Sequence, residues 1–252
     1  MKKVWISILL TVTIIMTTGA GARAGTPGRA STESGENYEA TEMDPNYVPP
    51  EIFTSGDYQY WISEDKESVI IAGYTGDEDV IEIPSELDGY PVSEIGYEAF
   101  GYQKMKSLLI PDSIRCIEHK AFEYCIISEA LQLPENISIG IDAFSYAEMP
   151  RTVTVPAGTT VEKGAFSYCE KMERVIIGPD TVIKGRAFGY CDDLEQVICA
   201  EGTRLEAKAF EYCKKLKKAV LCGETEADED AFHLCGDAEV TEAEAGEYDA
   251  WK

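Results

Sequence analysis

An Ala-Phe pair returns seven times along this chain at an unvarying interval of 22 residues. The pairs are Ala99-Phe100, Ala121-Phe122, Ala143-Phe144, Ala165-Phe166, Ala187-Phe188, Ala209-Phe210 and Ala231-Phe232. A fixed period between about 20 and 50 residues marks a solenoid, in which each repeat is one coil stacked on the last. No coil can bury its own apolar faces, so stability is shared between neighbours. The same property biases function towards an extended binding surface and away from a closed pocket.

The period carries further columns. Tyr102, Tyr124, Tyr146, Tyr168, Tyr190 and Tyr212 follow the pairs at constant spacing. Cys125, Cys169, Cys191, Cys213 and Cys235 form a second column, with Ala147 filling its gap. About ten residues before each pair lies a short apolar run, such as Val153-Thr154-Val155, Val175-Ile176-Ile177 or Val197-Ile198-Cys199. Bounded by Pro or Gly, each run reads as one short strand per coil. Identical strands at one period stack in parallel about 4.8 Å apart. Seven or eight coils then span roughly 35–40 Å. Every Phe of the seven pairs, from Phe100 to Phe232, is expected in the core.

The ends differ from the repeats. Lys2-Lys3, the apolar run Val4 to Met16 and Ala22-Arg23-Ala24 together read as a secretory signal peptide over residues 1–24, with cleavage after Ala24. The apolar run is shorter than the ~20 residues of a membrane span. Residues 25–56 are rich in Gly, Ser, Thr, Glu and Pro and read as a flexible linker. Residues 57–83 alternate apolar and polar side chains across two short runs and are expected to cap the first coil. The solenoid then runs to residue 236. Residues 237–252 read as an acidic, solvated tail.

Composition excludes some partners. The chain has 22 basic and 46 acidic residues, a net charge of −24. That balance argues against nucleic acid and against anionic membrane surfaces. The local cluster Lys214, Lys215, Lys217 and Lys218 reads as a solvated face. Eight cysteines in an exported chain suggest disulfides at first sight. A column of stacked cysteines has nearly parallel Cβ vectors, however, and a bridge needs converging ones. Ala147 also replaces one member without disturbing the period. The five column cysteines are therefore expected to be reduced, buried core thiols.

No catalytic signature is present. There is no Gly-rich phosphate loop, no His-Glu-x-x-His and no Gly-x-Ser-x-Gly. His119 and His233 are the two histidines and lie five coils apart, roughly 24 Å on the strand spacing. The chain is expected to be no enzyme, to take no cofactor and to hold no metal. The Tyr column has two readings: a structural ladder of stacked rings, or an exposed stripe that contacts a partner. The outward strand positions Thr154, Ile176, Ile198 and Val220 are unusually apolar for solvent. Adjoining turns cover them, or they form a second binding surface.

The repeat resembles the BspA-like leucine-rich repeat of bacterial surface proteins. Ile110-Pro111-Asp112-Ser113-Ile114, then Ile117, Ala121-Phe122 and Cys125, carry the likeness, which covers about residues 57 to 236. The cap adds Gly73-Tyr74-Thr75-Gly76, Ile83-Pro84-Ser85 and Asp88-Gly89-Tyr90-Pro91-Val92. The resemblance implies an α/β-type leucine-rich repeat solenoid, a β-dominated right-handed coil with one short parallel strand per repeat and short helical or 3-10 turns. It implies a secreted or cell-surface binding module, adhesin-like. The chain is expected to be a monomer. Its expected partners are extracellular proteins or, alternatively, surface or cell-wall glycans met through the tyrosines. No catalytic residues come with it.

Overall fold

A computed structural model describes residues 50–244 and 248–251. The expected signal peptide and most of the expected linker lie outside the described residues. The first described strand, β1 (Phe53–Ser55), lies within the expected linker and pairs antiparallel with β2 (Tyr58–Ile62). Phe53 sits opposite Tyr60 and stacks on it at 5.6 Å, an apolar contact that holds this short strand.

β2 also pairs antiparallel with β3 (Val69–Tyr74), completing a three-strand meander. β3 then pairs in parallel with β6 (Tyr90–Ile95), so one strand joins the antiparallel cap to the parallel coils. Between them lie β4 (Val80–Glu82) and β5 (Glu86–Leu87), the latter antiparallel to β6. Tyr74 stacks on Phe100 at 5.3 Å and closes the phenylalanine column at this end.

Each coil carries two parallel strands, where the sequence pattern suggested one. The longer strands run through β7 (Lys104–Leu109), β9 (Ile126–Gln132), β11 (Thr152–Val155), β13 (Arg174–Ile177), β15 (Gln196–Cys199), β17 (Lys218–Cys222) and β19 (Glu239–Ala243). The shorter ones are two residues each: β8 (Cys116–Ile117), β10 (Ser138–Ile139), β12 (Thr160–Val161), β14 (Val182–Ile183), β16 (Arg204–Leu205) and β18 (Glu226–Ala227). Two residues are too few to show an alternation, which is why the pattern hides them. The short strands continue from β6 as one sheet, with partners 22 residues apart, as in Ile117 with Ile139. The long strands form one sheet of β4, β7 and β9 and another from β11 to β19. Pro150, which has no N–H to donate, lies at the break between them.

The expected helical turns are absent from the described coils. The Ala-Phe corner is instead bracketed by left-handed residues. Lys120 and Tyr124 have φ of 58° each, and Asp142 and Tyr146 have 54° and 57°. A left-handed residue at every fourth position keeps the corner as separate turns and stops it from running on as a right-handed helix. Each turn closes locally, as where the Cys125 N–H donates to the Phe122 carbonyl, and the corner also hydrogen-bonds between coils. Each Phe N–H from Phe100 to Phe210 donates to the Ala carbonyl of the next coil at 2.7–2.9 Å. That close approach leaves room for little beyond a methyl group and explains the alanine.

The core is a set of columns. Phe100, Phe122, Phe144, Phe166, Phe188 and Phe210 are fully buried, with rings 4.8–5.2 Å apart. Phe232, in the last coil, is only half-buried because no further coil covers it. All eight cysteines are free thiols. Cys169, Cys191, Cys213 and Cys235 donate to the carbonyls of Phe144, Phe166, Phe188 and Phe210, at 2.9–3.2 Å. Burial pushes the Cys125 thiol up to about 12. A threonine column, Thr181, Thr203 and Thr225, works similarly: each hydroxyl donates to a carbonyl of the preceding coil at 3.1–3.3 Å.

Residues 237–252 are not simply a solvated tail. β19 adds a fifth strand beside β17, with Lys218 opposite Glu239. Helix α1 (Tyr248–Trp251) follows. Its Tyr248 is buried in a second apolar cluster with Ile176, Ile198, Ala200, Val220 and Cys222. The three outward strand positions that are apolar are thus covered by the C-terminal segment, while Thr154 stays exposed. The physical reason is the hydrophobic effect: an apolar stripe on β13, β15 and β17 has somewhere to go.

Candidate interaction surface

The tyrosines stand two residues beyond each Phe, on the outer side of the same corner. Their backbone is left-handed throughout: φ is 63° at Tyr102, 58° at Tyr124, 57° at Tyr146 and Tyr168, 60° at Tyr190 and 61° at Tyr212. Each N–H donates to a carbonyl of the next coil at 2.7–3.0 Å. Adjacent rings stack, with centroids 4.6–5.0 Å apart and planes within 4–15° of parallel.

This column meets solvent. Tyr102 is 72% exposed, and Tyr124, Tyr146 and Tyr168 are exposed by 41%, 45% and 38%. Tyr190 and Tyr212 are half-buried. Leu234 takes the same left-handed place in the last coil and is also exposed. A left-handed conformation costs an ordinary L-residue roughly 1–2 kcal/mol, and Gly or Asn fills it most cheaply. Tyr occupies it six times in succession. Backbone preference therefore does not select tyrosine here, and the ring is what the position retains.

Other surface features resolve into local pairing. Lys214, Lys215 and Lys217 reach one coil back to Asp192, Asp193 and Glu195 at 2.7–3.1 Å. An open groove of about 350 Å³ is lined by Lys163, Lys184, Arg186 and Lys208 with Glu162 and Glu206. Its Lys184 lies 3.3 Å from Glu206, and Arg186 and Lys208 share the buried Glu211 at 2.6 and 3.5 Å. The groove therefore offers little net positive charge to an anion. His119 contacts the Ile141 carbonyl at 2.6 Å and stacks on Tyr97 at 5.8 Å, whereas His233 lies beside Asp230 at 3.8 Å. Glu94, Cys116 and Glu118 place their donor atoms within 4.8 Å of one another, across two adjacent coils. The Cys116 thiol lies 3.4 Å from the Glu118 carboxylate. Glu94 and Cys116 are register partners in one column, and the cluster went unseen in the sequence because that column holds unlike residue types.

The fold and the ladder define a class: a repeat protein whose parallel-strand coils hold a buried aromatic column inside and present an aromatic column outside. Residues 93–237 match the BspA type leucine rich repeat region in six copies. The chain belongs to that family. It is similar to the leucine-rich repeat protein of T. pallidum, at 21% identity over 77% of this chain and 82% of that one, with a TM-score of 0.48. It is also similar to a leucine-rich repeat protein from Bacteroides ovatus, at 20% identity over 76% and 71%, with a TM-score of 0.43. A leucine rich cell surface protein from Faecalibacterium prausnitzii matches at 18% identity over 81% and 97%, with a TM-score of 0.39. No curated protein matches the chain. No helix among the described residues is long and apolar enough to cross a membrane.

Proposed function

We propose that this protein is a secreted or cell-surface, non-catalytic binding module that engages extracellular protein partners along its solenoid, in the manner of an adhesin. The observation that carries this reading is the exposed row of tyrosines in a backbone conformation that disfavours them. Aromatic rings supply large, rigid contact area, and contiguous exposed aromatic surface marks interaction sites. The export signal read in residues 1–24 and the family's surface-protein character support the location. The buried Phe, Ala and Cys columns support only the fold.

Carbohydrate binding through the same tyrosines is the second reading, favoured by the 72% exposure of Tyr102. A panel of immobilised extracellular matrix proteins, run beside a glycan array, separates the two. Saturable protein binding that weakens when Tyr124, Tyr146 and Tyr168 are changed to Gly is the expected result. Binding that these changes leave untouched would move the site off the ladder, and glycan binding alone would favour the second reading.

A further inference from the structure

Stacking decides what kind of surface the tyrosines make. Neighbouring rings lie 4.6–5.0 Å apart and nearly parallel, so each covers a face of the next. The row meets solvent chiefly with ring edges. At its N-terminal end Tyr102 keeps one face open, consistent with its larger exposure. A sugar that stacks on an aromatic ring needs a face, so a glycan chain finds a platform at the end of the row and not along it.

The row of edges also has a fixed pitch, and pitch selects a partner. An extended strand laid along the row repeats its same-face side chains about every 6.6–6.8 Å. It falls out of step within about two rungs. An α-helix repeats about every 5.4 Å per turn and slips by about 3 Å across the six tyrosines. Strands stacked side by side repeat every 4.7–4.9 Å and stay in step along the whole row. In a parallel, in-register cross-β assembly every residue becomes a column of identical side chains at that repeat, and such columns interdigitate with matching ones.

We infer that the tyrosine ladder docks a cross-β fibril, lying with its axis along the solenoid. This rests on the protein-binding reading above and names the partner class for the same surface. Charge separates the fibril from one further partner of equal pitch, a second copy of this chain. A second copy carries the same net charge of −24, and the two would repel. A fibril whose exposed columns are uncharged or basic meets the ladder without that repulsion.

Co-sedimentation of the whole chain with preformed in-register fibrils of an uncharged Gln/Asn-rich peptide tests this, with the same peptide kept soluble as the control. Immobilised matrix proteins form a parallel arm. The expected result is saturable binding to the fibril and none to the soluble peptide. Tyr146→Gly, which splits the row, should weaken binding at least tenfold, and Tyr212→Gly, which only shortens it, should weaken it less. Tyr146→Asn, which also suits a left-handed backbone, guards against a folding defect, and melting curves verify that each variant folds. Equal losses at the two positions overturn the inference, as does fibril binding that survives Gly at Tyr124, Tyr146 and Tyr168 together. Tyrosine-dependent binding to a matrix protein but not to fibrils overturns the fibril and leaves the protein-binding reading standing. Tyrosine-dependent dimerisation without fibril binding assigns the ladder to a second copy and also overturns it. Binding to none of these overturns both readings.

Discussion

The phenylalanine and tyrosine columns sit two residues apart in every coil and share one pitch, yet they face opposite environments. The rings from Phe100 to Phe210 have no exposed surface, whereas those from Tyr102 to Tyr168 are exposed by 38–72%. Both stack, because any ring repeated once per coil must lie about one strand spacing from the next. Stacking therefore does not distinguish core from surface. The backbone and the solvent do: the tyrosines take left-handed φ, and the six fully buried phenylalanines do not. The comparison shows how one period can carry a buried column and an exposed column side by side.

The sharpest way to break this contrast is at the phenylalanines. Phe166→Ala, in a middle coil, should cost about 3–5 kcal/mol, the loss expected for a fully buried ring and its cavity. Phe232→Ala should cost clearly less, since that ring is only half-buried. Denaturant melts check both, and equal losses would mean that coils do not share stability through their neighbours.

The outer faces can be tested at the C-terminal segment. Deleting residues 245–252 removes Tyr248 from the cluster of Ile176, Ile198 and Val220. A loss of roughly 1.5–3 kcal/mol is expected, about one large buried side chain. A hydrophobic dye should then bind the deleted protein and not the full chain. Unchanged stability and dye binding would show that the segment does not cover that face in solution.

The cysteines give a smaller, pH-dependent effect. Burial raises the thiol of Cys125 to about 12 and also raises those of Cys169 and Cys191. These thiols stay protonated in the fold and ionise sooner in the unfolded chain. They stabilise the fold fully below the ordinary thiol pKa of about 8.5, and that contribution falls as pH rises towards 12. Melting temperature should therefore drop between pH 8 and pH 10.5. Cys125→Ala should flatten the drop, with Ala147 as a precedent for the substitution in this column. A drop of unchanged slope in that variant would place the titration elsewhere.

Much of this was legible in the sequence, and the gaps have physical causes. The 22-residue interval of Ala-Phe located the coils and the Phe column, because a buried ring must recur at the coil period. The tyrosines were visible as a column, but their left-handed backbone was not, since Tyr carries no preference that signals positive φ. The same holds for Lys120 and Lys208. The two-residue strands such as Val182–Ile183 were too short for an alternation to register. Thr159, Thr181, Thr203 and Thr225 recur at 22 residues, but threonine is mostly an exposed residue type, so the period alone does not mark them as a core column. Tyr248 was hidden because its partners lie in β13, β15 and β17, joined to it by tertiary contact alone.

One coil holds the most direct test of the two-column account. Phe166→Ala and Tyr168→Gly, two residues apart, can be compared by their unfolding free energies. Glycine relieves the left-handed backbone at 168 while removing the stacked ring, so the account predicts a net change within about 1 kcal/mol. Against the loss of about 3–5 kcal/mol at Phe166, the fold should barely register the missing tyrosine. Losses of similar size at the two positions would contradict it, making the tyrosine column as structural as the phenylalanine one.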